Sequence, residues 1–200
     1  MSLAADPSLS RRAFVSQVAD QVRALPTSEE ALTSDVDMAS DFIKIASVDM
    51  RQALVHSALT SLAEAHSCIS ELLQKRDKEN FVKDTHVTMV HFSQSPQSTI
   101  RTRFGPLVGC AVDVSITGIL WNEQVAALQV KVATETNDGK PVPTPMNDFV
   151  HITVWHQPEV SAAFANEIPM LVTEGKAEQV YFEEPVILKG VVSLWGNDRR

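Results

Sequence analysis

Two short segments of the sequence each place a histidine and a threonine on either side of one apolar residue. The first segment is His86-Val87-Thr88, and the second, far along the chain, is His151-Ile152-Thr153. Both lie in apolar runs that are typical of strands, where residues two apart point to the same face. Each segment is therefore expected to present one imidazole and one hydroxyl side by side.

Two imidazoles and two hydroxyls in one site suit the hydrolysis of a phosphodiester without a metal ion. A neutral imidazole can take a proton from water, and an imidazolium can protonate the leaving oxygen. The hydroxyls of Thr88 and Thr153 can donate hydrogen bonds to the phosphate oxygens. We expect His151 to act as the base and His86 as the acid. The opposite order stays open, because the sequence does not orient a substrate.

Four further residues are weaker candidates for substrate binding. Trp155 follows the second segment in phase with its histidine, so it could stack on a nucleobase, although a core position is equally compatible. Lys83, Arg101 and Arg103 could line a path for an anionic substrate, although isolated basic side chains are more often solvated.

No metal ion or other cofactor is predicted. The sequence has neither a Cys-x-x-Cys nor a His-Glu-x-x-His pattern. His91 and His156 each follow the first histidine of their segment by five positions. This odd spacing predicts that they face the opposite side of the strand and have a structural role.

The elements around these segments alternate between strand and helix patterns, which predicts an α+β fold. A helix beginning near Asp49 is expected between the first strand and the strand that carries His86. A polar loop is expected over residues 93–106, and a second helix over 160–171. The predicted strands are 42–48, 85–92, 107–120, 125–133, 150–155, 179–183 and 186–195.

The first 40 residues are expected to lie outside the main domain. A helical pattern runs from Ser8 to Leu25, and Pro26 ends it. An acidic stretch without periodicity follows, so we predict an N-terminal helix and linker over 1–40 and a domain over 41–197.

Charge and composition limit the class of protein. The formal net charge is -8, which argues against electrostatic coating of nucleic acid but does not exclude a small basic cleft. Only two cysteines are present, which favours a reducing compartment, the nucleus or cytoplasm. No run of 18 apolar residues occurs, so no membrane partner is expected.

The paired His-x-Thr strands resemble those of the two-histidine (2H) phosphoesterase superfamily. Three segments are similar to the cyclic phosphodiesterase domain of plant and fungal tRNA ligases, namely 85–91, 151–155 and 184–190, and the resemblance spans roughly residues 41–196. It implies a bilobal 2H (LigT-like) fold, in which two antiparallel sheets face a central cleft with helices outside. It also assigns the two histidines and two threonines to the site.

The resemblance implies a reaction as well as a fold. The expected activity opens an RNA 2′,3′-cyclic phosphate to a 2′-phosphate and a free 3′-hydroxyl, as the end-healing part of tRNA splicing. The partners would then be tRNA exon halves, not DNA, and ligase or kinase domains of the same polypeptide. The alternatives are trimming of RNA 3′ ends, cleavage of 2′-5′ linkages, or a nucleotide-binding module without activity.

Overall fold

The computed structural model describes residues 42–196, so the predicted N-terminal helix and linker over 1–40 lie outside the described residues. Six strands are present in this part of the chain: β1 Ile45–Asp49, β2 His86–His91, β3 Ala111–Trp121, β4 Val125–Val132, β5 His151–His156 and β6 Glu178–Trp195. The α-helices are α1 Gln52–Ala65, α2 Ser67–Gln74, α3 Gln97–Phe104 and α4 Ile168–Thr173. Short 3₁₀ turns occupy Lys78–Asn80, Gly105–Leu107 and Ala162–Glu167.

The six strands form one closed antiparallel sheet in the order β1-β2-β5-β4-β3-β6. The prediction of a bilobal fold with two sheets facing a cleft is therefore wrong. The two strands that carry the His-x-Thr segments pair directly, through Val87 and Ile152. On the other side β1 pairs with β6 along its whole length, which closes the sheet. Closure gives every strand two neighbours and removes the unpaired edges that open sheets expose.

The larger of two buried apolar clusters lies on one face of the sheet, called here the core face. Val87 and Ile152 are fully buried on it, and they share one apolar cluster with Val55 and Leu59 of α1. The helices α1 and α2 therefore pack against this face. The other face carries His86, Thr88, His151 and Thr153, and is called here the histidine face. The alternation of side chains along each strand produces the two faces.

A β-bulge interrupts each His-x-Thr strand just after the motif. In β2 the pairing with β1 steps from Ser47–Thr88 to Ala46–Val90, which leaves Met89 as the extra residue. In β5 the pairing with β4 skips Val154 in the same way. A bulge adds one residue and so shifts the alternation of every side chain beyond it.

The bulges reverse the expected orientation of three side chains. His91 and His156 return to the histidine face, contrary to the expectation from their odd spacing. Trp155 turns to the core face, where it is 3% exposed, so it is not in phase with His151. Spacing alone could not reveal this change, because the count of residues does not show which one is unpaired.

Several element boundaries also differ from the sequence prediction. The segment predicted as a polar loop contains α3, whose Ile100 and Phe104 are buried in the core. The two final predicted strands form the single strand β6, although it contains Pro185. The residues of β6 between Tyr181 and Val186 have no pairing partner on β3. Pro185 lies among them, so its missing amide hydrogen removes no hydrogen bond to β3. Within the described part of the chain, no helix is long and apolar enough to cross a membrane.

Candidate active site

The direct pairing of β2 with β5 brings the two His-x-Thr segments together. Val87 and Ile152 are partners in an antiparallel pair. Continuing that register by one residue in each direction places His86 beside Thr153, and Thr88 beside His151. All four side chains are on the histidine face, and each is half-buried. The two imidazoles and two hydroxyls thus form one diagonal arrangement across the junction of two strands.

The backbone fixes the tautomer of both imidazoles. Nδ1 of His86 lies 2.8 Å from the carbonyl oxygen of Asp84, and Nδ1 of His151 lies 2.8 Å from the carbonyl oxygen of Phe149. A carbonyl oxygen can only accept, so Nδ1 carries the hydrogen in each ring. Nε2 is therefore the atom left to exchange protons in both histidines. In each case the acceptor is the residue two positions earlier.

His151 lies in an apolar environment. Its ring stacks on that of Phe149, with centroids 4.9 Å apart and planes 13° apart. Burial lowers the pKa of His151 below its ordinary value, the hydrogen bond to Phe149 opposes this shift, and the nearby His86 adds to it. Burial is the largest cause, because it disfavours the charged ring. A neutral imidazole with a free Nε2 can accept a proton from water.

His86 has a different environment, built from the neighbouring strands β1 and β6. Its ring lies against the indole of Trp195, with centroids 4.4 Å apart. The indole N–H of Trp195 lies 3.1 Å from each carboxylate oxygen of Asp49. Asp49 is in turn the β1 partner of His86. The neighbours of His86 are therefore the indole of Trp195 and the carboxylate of Asp49, whereas His151 lies against the ring of Phe149.

The two threonines differ in their local contacts. The hydroxyl of Thr153 donates to the carbonyl oxygen of Ala162 at 3.3 Å, which connects β5 to the 3₁₀ turn over Ala162–Glu167. Hydroxyl bonds are usually nearer 2.8 Å, so this contact is a weak one that a phosphate oxygen could replace. Thr88 faces the small side chain of Ser47 on β1.

The structure does not bring Trp155 to the two histidines. Its indole N–H donates to the carbonyl oxygen of Asp77 at 3.3 Å, and the guanidinium of Arg76 lies 4.4 Å from the ring centroid. Trp155 packs in the core, because the bulge at Val154 turns its side chain away from the histidine face. Arg76 thus occupies a position against the ring that a nucleobase would need.

The predicted basic residues lie on exposed surfaces. Arg101 and Arg103 are on the exposed side of α3, and Lys83 is in the segment that leads into β2. The contacts of the described residues do not link these three side chains to His86 or His151. Their roles in binding RNA stay predictions.

Sequence reasoning missed the residues that surround the histidines. A helix was expected to begin near Asp49, but this residue is the last of β1, and the helix begins at Gln52. Phe149 could have been found from its position two residues before His151, on the same face. Trp195 has no such signal, because a pairing between distant strands places it. Among the residues that the structure describes, no group of three or more His, Cys, Asp or Glu is arranged to hold a metal ion.

Comparison with known families identifies the chain. Residues 26–195 match the family described as the fungal tRNA ligase phosphodiesterase domain. The chain belongs to this family. The resemblance that the His-x-Thr strands predicted is therefore confirmed, and the four side chains on the histidine face belong to a phosphodiesterase domain of the tRNA ligase type.

This phosphodiesterase domain is also similar in sequence to a plant protein and in fold to a solved fungal structure. It is 27% identical to tRNA ligase 1 of Arabidopsis thaliana over 184 residues, which are 91% of this chain and 16% of that protein. A crystal structure of a fungal RNA kinase is similar in fold, with a TM-score of 0.58 and 15% identity. That similarity covers 98% of this chain and 60% of the other, and at this identity it concerns the fold alone.

Proposed function

We propose that this phosphodiesterase domain opens an RNA 2′,3′-cyclic phosphate to a 2′-phosphate and a 3′-hydroxyl without a metal ion. The observation that carries the proposal is the pair of imidazoles on adjacent strands, each with Nδ1 committed to a backbone carbonyl and Nε2 free. Two such groups are what acid–base catalysis of this hydrolysis requires. Membership of the tRNA ligase phosphodiesterase family supports the choice of reaction.

His151 acts as the base and His86 as the acid. Nε2 of His151 takes a proton from a water molecule while the water oxygen forms a bond to phosphorus. The bond between phosphorus and O3′ breaks, and O3′ receives the proton carried by Nε2 of His86. Exchange with solvent then returns both rings to their starting states. The hydroxyls of Thr88 and Thr153 donate to the non-bridging oxygens, where negative charge increases in the transition state.

The environment of His151 supports this direction of proton transfer. Burial lowers its pKa, so it is neutral near neutral pH and available as a base. A base that is already neutral needs no prior loss of a proton, which favours catalysis at the ordinary pH of the cell.

The substrate is an RNA end, and tRNA exon halves are the proposed natural form of it. The relative in Arabidopsis is a tRNA ligase, of which this chain matches 16%, so ligase and kinase activities are proposed to come from partner domains. Recognition of one terminal phosphate needs few basic residues, and the net charge of -8 is compatible with it.

The decisive experiment combines product mapping with two variants. An oligonucleotide that ends in a 2′,3′-cyclic phosphate is incubated with the protein in excess chelator, and phosphorus NMR locates the phosphate. We expect a 2′-phosphate, with His86→Ala and His151→Ala each reducing the rate by about 100-fold or more. His56→Ala, on the exposed side of α1, is the matched control and should retain full activity.

Other outcomes would contradict the proposal in distinct ways. A shortened oligonucleotide would indicate trimming of RNA ends, and cleavage restricted to 2′-5′ linkages would indicate that alternative activity. Binding without turnover would indicate a nucleotide-binding module. Loss of activity in chelator would overturn independence from metal ions.

A further inference from the structure

Trp195 connects Asp49 to His86 across three neighbouring strands. Its ring lies 4.4 Å from that of His86 on β2, at an angle of 51°. Its indole N–H donates to both carboxylate oxygens of Asp49 on β1, at 3.1 Å each. One side chain at the end of β6 therefore touches the proposed acid with its ring and the neighbouring carboxylate with its nitrogen.

This contact spans a long distance along the sheet. Trp195 pairs with Ile45, whereas Asp49 pairs with Val191, four residues further along β1. At the usual rise per residue, the two backbone positions are about 13 Å apart along the strand. The indole and the carboxylate must therefore extend toward each other over the intervening row of the histidine face.

Two serines form that intervening row. Ser47 of β1 and Ser193 of β6 face each other, and they are 0% and 2% exposed. The hydroxyl of Ser47 donates to Asp49 at 2.6 Å, so it fixes the carboxylate from one side. Small side chains here leave room for the indole to lie across them, and a larger residue would displace it.

The two histidines obtain their aromatic neighbours in different ways. The ring of His151 stacks on Phe149, two residues earlier in the same chain segment. The corresponding position before His86 is Asp84, which has no aromatic ring and contacts the imidazole through its carbonyl oxygen. The aromatic neighbour of His86 therefore has to come from another strand, and Trp195 supplies it.

We propose that Asp49 and Trp195 are positioning residues for His86, which hold its ring so that Nε2 delivers a proton to O3′. The inference rests on the function proposed above. Asp49 fixes the indole, the indole limits the rotation of the imidazole, and the hydrogen bond to Asp84 fixes the remaining angle. Small errors in the position of a catalytic group cost large factors in rate.

The proposal predicts a defect restricted to protonation of the leaving group. A sulfur atom in place of O3′ leaves as a thiolate, which needs no proton. Residues that only help His86 to deliver a proton should then become dispensable. Residues that hold the fold together, or that help the attack of water, should matter for the oxygen and sulfur substrates alike. The two substrates thus separate positioning from structure.

The experiment measures kcat/KM for both cyclic substrates, with Asp49→Ala, Trp195→Leu and Trp195→Phe. We expect each of the first two variants to lose about 10- to 100-fold on the oxygen substrate and to regain nearly normal rates on the sulfur substrate. Trp195→Phe keeps a ring against His86 but loses the N–H, so an intermediate loss is expected. Ser193→Ala is the control, because it changes a buried hydroxyl in the same region without touching His86, and it should be normal on both substrates.

Two reference variants separate this inference from the proposed function. His86→Ala should recover on the sulfur substrate, and His151→Ala should not. Failure of His86→Ala to recover would overturn the assignment of the acid itself. The positioning role alone would be overturned if His86→Ala recovers but Asp49→Ala and Trp195→Leu lose equally on both substrates. Unchanged rates of Asp49→Ala and Trp195→Leu on the oxygen substrate would overturn it as well. If Trp195→Leu melts at a lower temperature, Trp195→Phe gives the deciding comparison.

Discussion

Val87 and Ile152 face each other as the pair that joins β2 to β5, and both are fully buried. Each is the apolar residue between the histidine and threonine of its motif. The same two residues therefore fill the core and set the register of the histidine face. Because side chains alternate with a period of two, a slip by one residue would turn His86 and His151 into the core. Val87 and Ile152 thus position the four side chains of the histidine face, although they themselves face the core.

The burial of Ile152 at this junction predicts that truncating its side chain will destabilise the protein. Ile152→Ala should lower the free energy of unfolding by about 2–5 kcal/mol, because it leaves a cavity in the core. Ile152→Val should cost only about 0.5–1.5 kcal/mol. Denaturant titration measures both, and Ile187→Ala is the control, since Ile187 is 53% exposed and its truncation should change little. Equal effects at the two isoleucines would contradict this account of the junction.

The lowered pKa of His151 predicts the acidic limb of the pH profile. A general base works only when neutral, and burial keeps His151 neutral at a pH below its ordinary pKa of 6.5. The activity should therefore persist below pH 6.5 and decline only as the pH falls through the lowered value. Measurement of kcat/KM against pH tests this, and NMR of the ring protons of His151 provides an independent titration.

Stability should depend on pH in the same region, with a sign set by the same shift. The unfolded chain takes up a proton at His151 as the pH falls through 6.5, whereas the folded protein takes it up only at a lower pH. The free energy of unfolding should therefore decrease as the pH falls below 6.5, and His151→Gln should remove this part of the dependence. His56→Gln is the matched control. An unchanged slope in His151→Gln would contradict the prediction.

The sequence predicted which side chains share a face within each motif, but it did not predict the overall architecture. The His-x-Thr spacing predicted a shared face for each histidine and its threonine, because alternation in a strand holds over three residues. It failed over five or more residues, since the bulges at Met89 and Val154 restart the alternation. The closed order of the strands depends on pairings between distant segments, such as β1 with β6, and no local pattern reports these. For the same reason Trp195 could not be connected to His86 in advance.

The close approach of β3 and β6 predicts that Gly118 cannot be replaced without cost. A Cβ atom at Gly118 would lie 2.7 Å from the carbonyl oxygen of Val180, and this neighbour is backbone, which cannot rotate away. Gly118→Ala should therefore lower the free energy of unfolding by about 1–3 kcal/mol, as overpacking does. Gly105→Ala has no atom within 4 Å of the added carbon and should be neutral or stabilising. Equal melting temperatures for the two variants would show that β6 moves aside.

The two threonine hydroxyls should contribute to rate far more than to stability. Thr88→Val and Thr153→Val keep the shape of the side chain and remove the donor to the phosphate, so each should reduce kcat/KM by about 100-fold. Thr153→Val also loses the bond to Ala162, which should cost about 1 kcal/mol of unfolding free energy. Thr88→Ser retains the hydroxyl and should recover most of the rate.

The matched control is Thr60→Val on α1, which should retain activity. The hydroxyl of Thr60 donates to the carbonyl oxygen of His56 in the same helix. A normal rate for Thr88→Val would mean that this hydroxyl does not contact the phosphate. A loss in Thr88→Ser as large as that in Thr88→Val would mean that the methyl group of Thr88, through its packing, carries the effect.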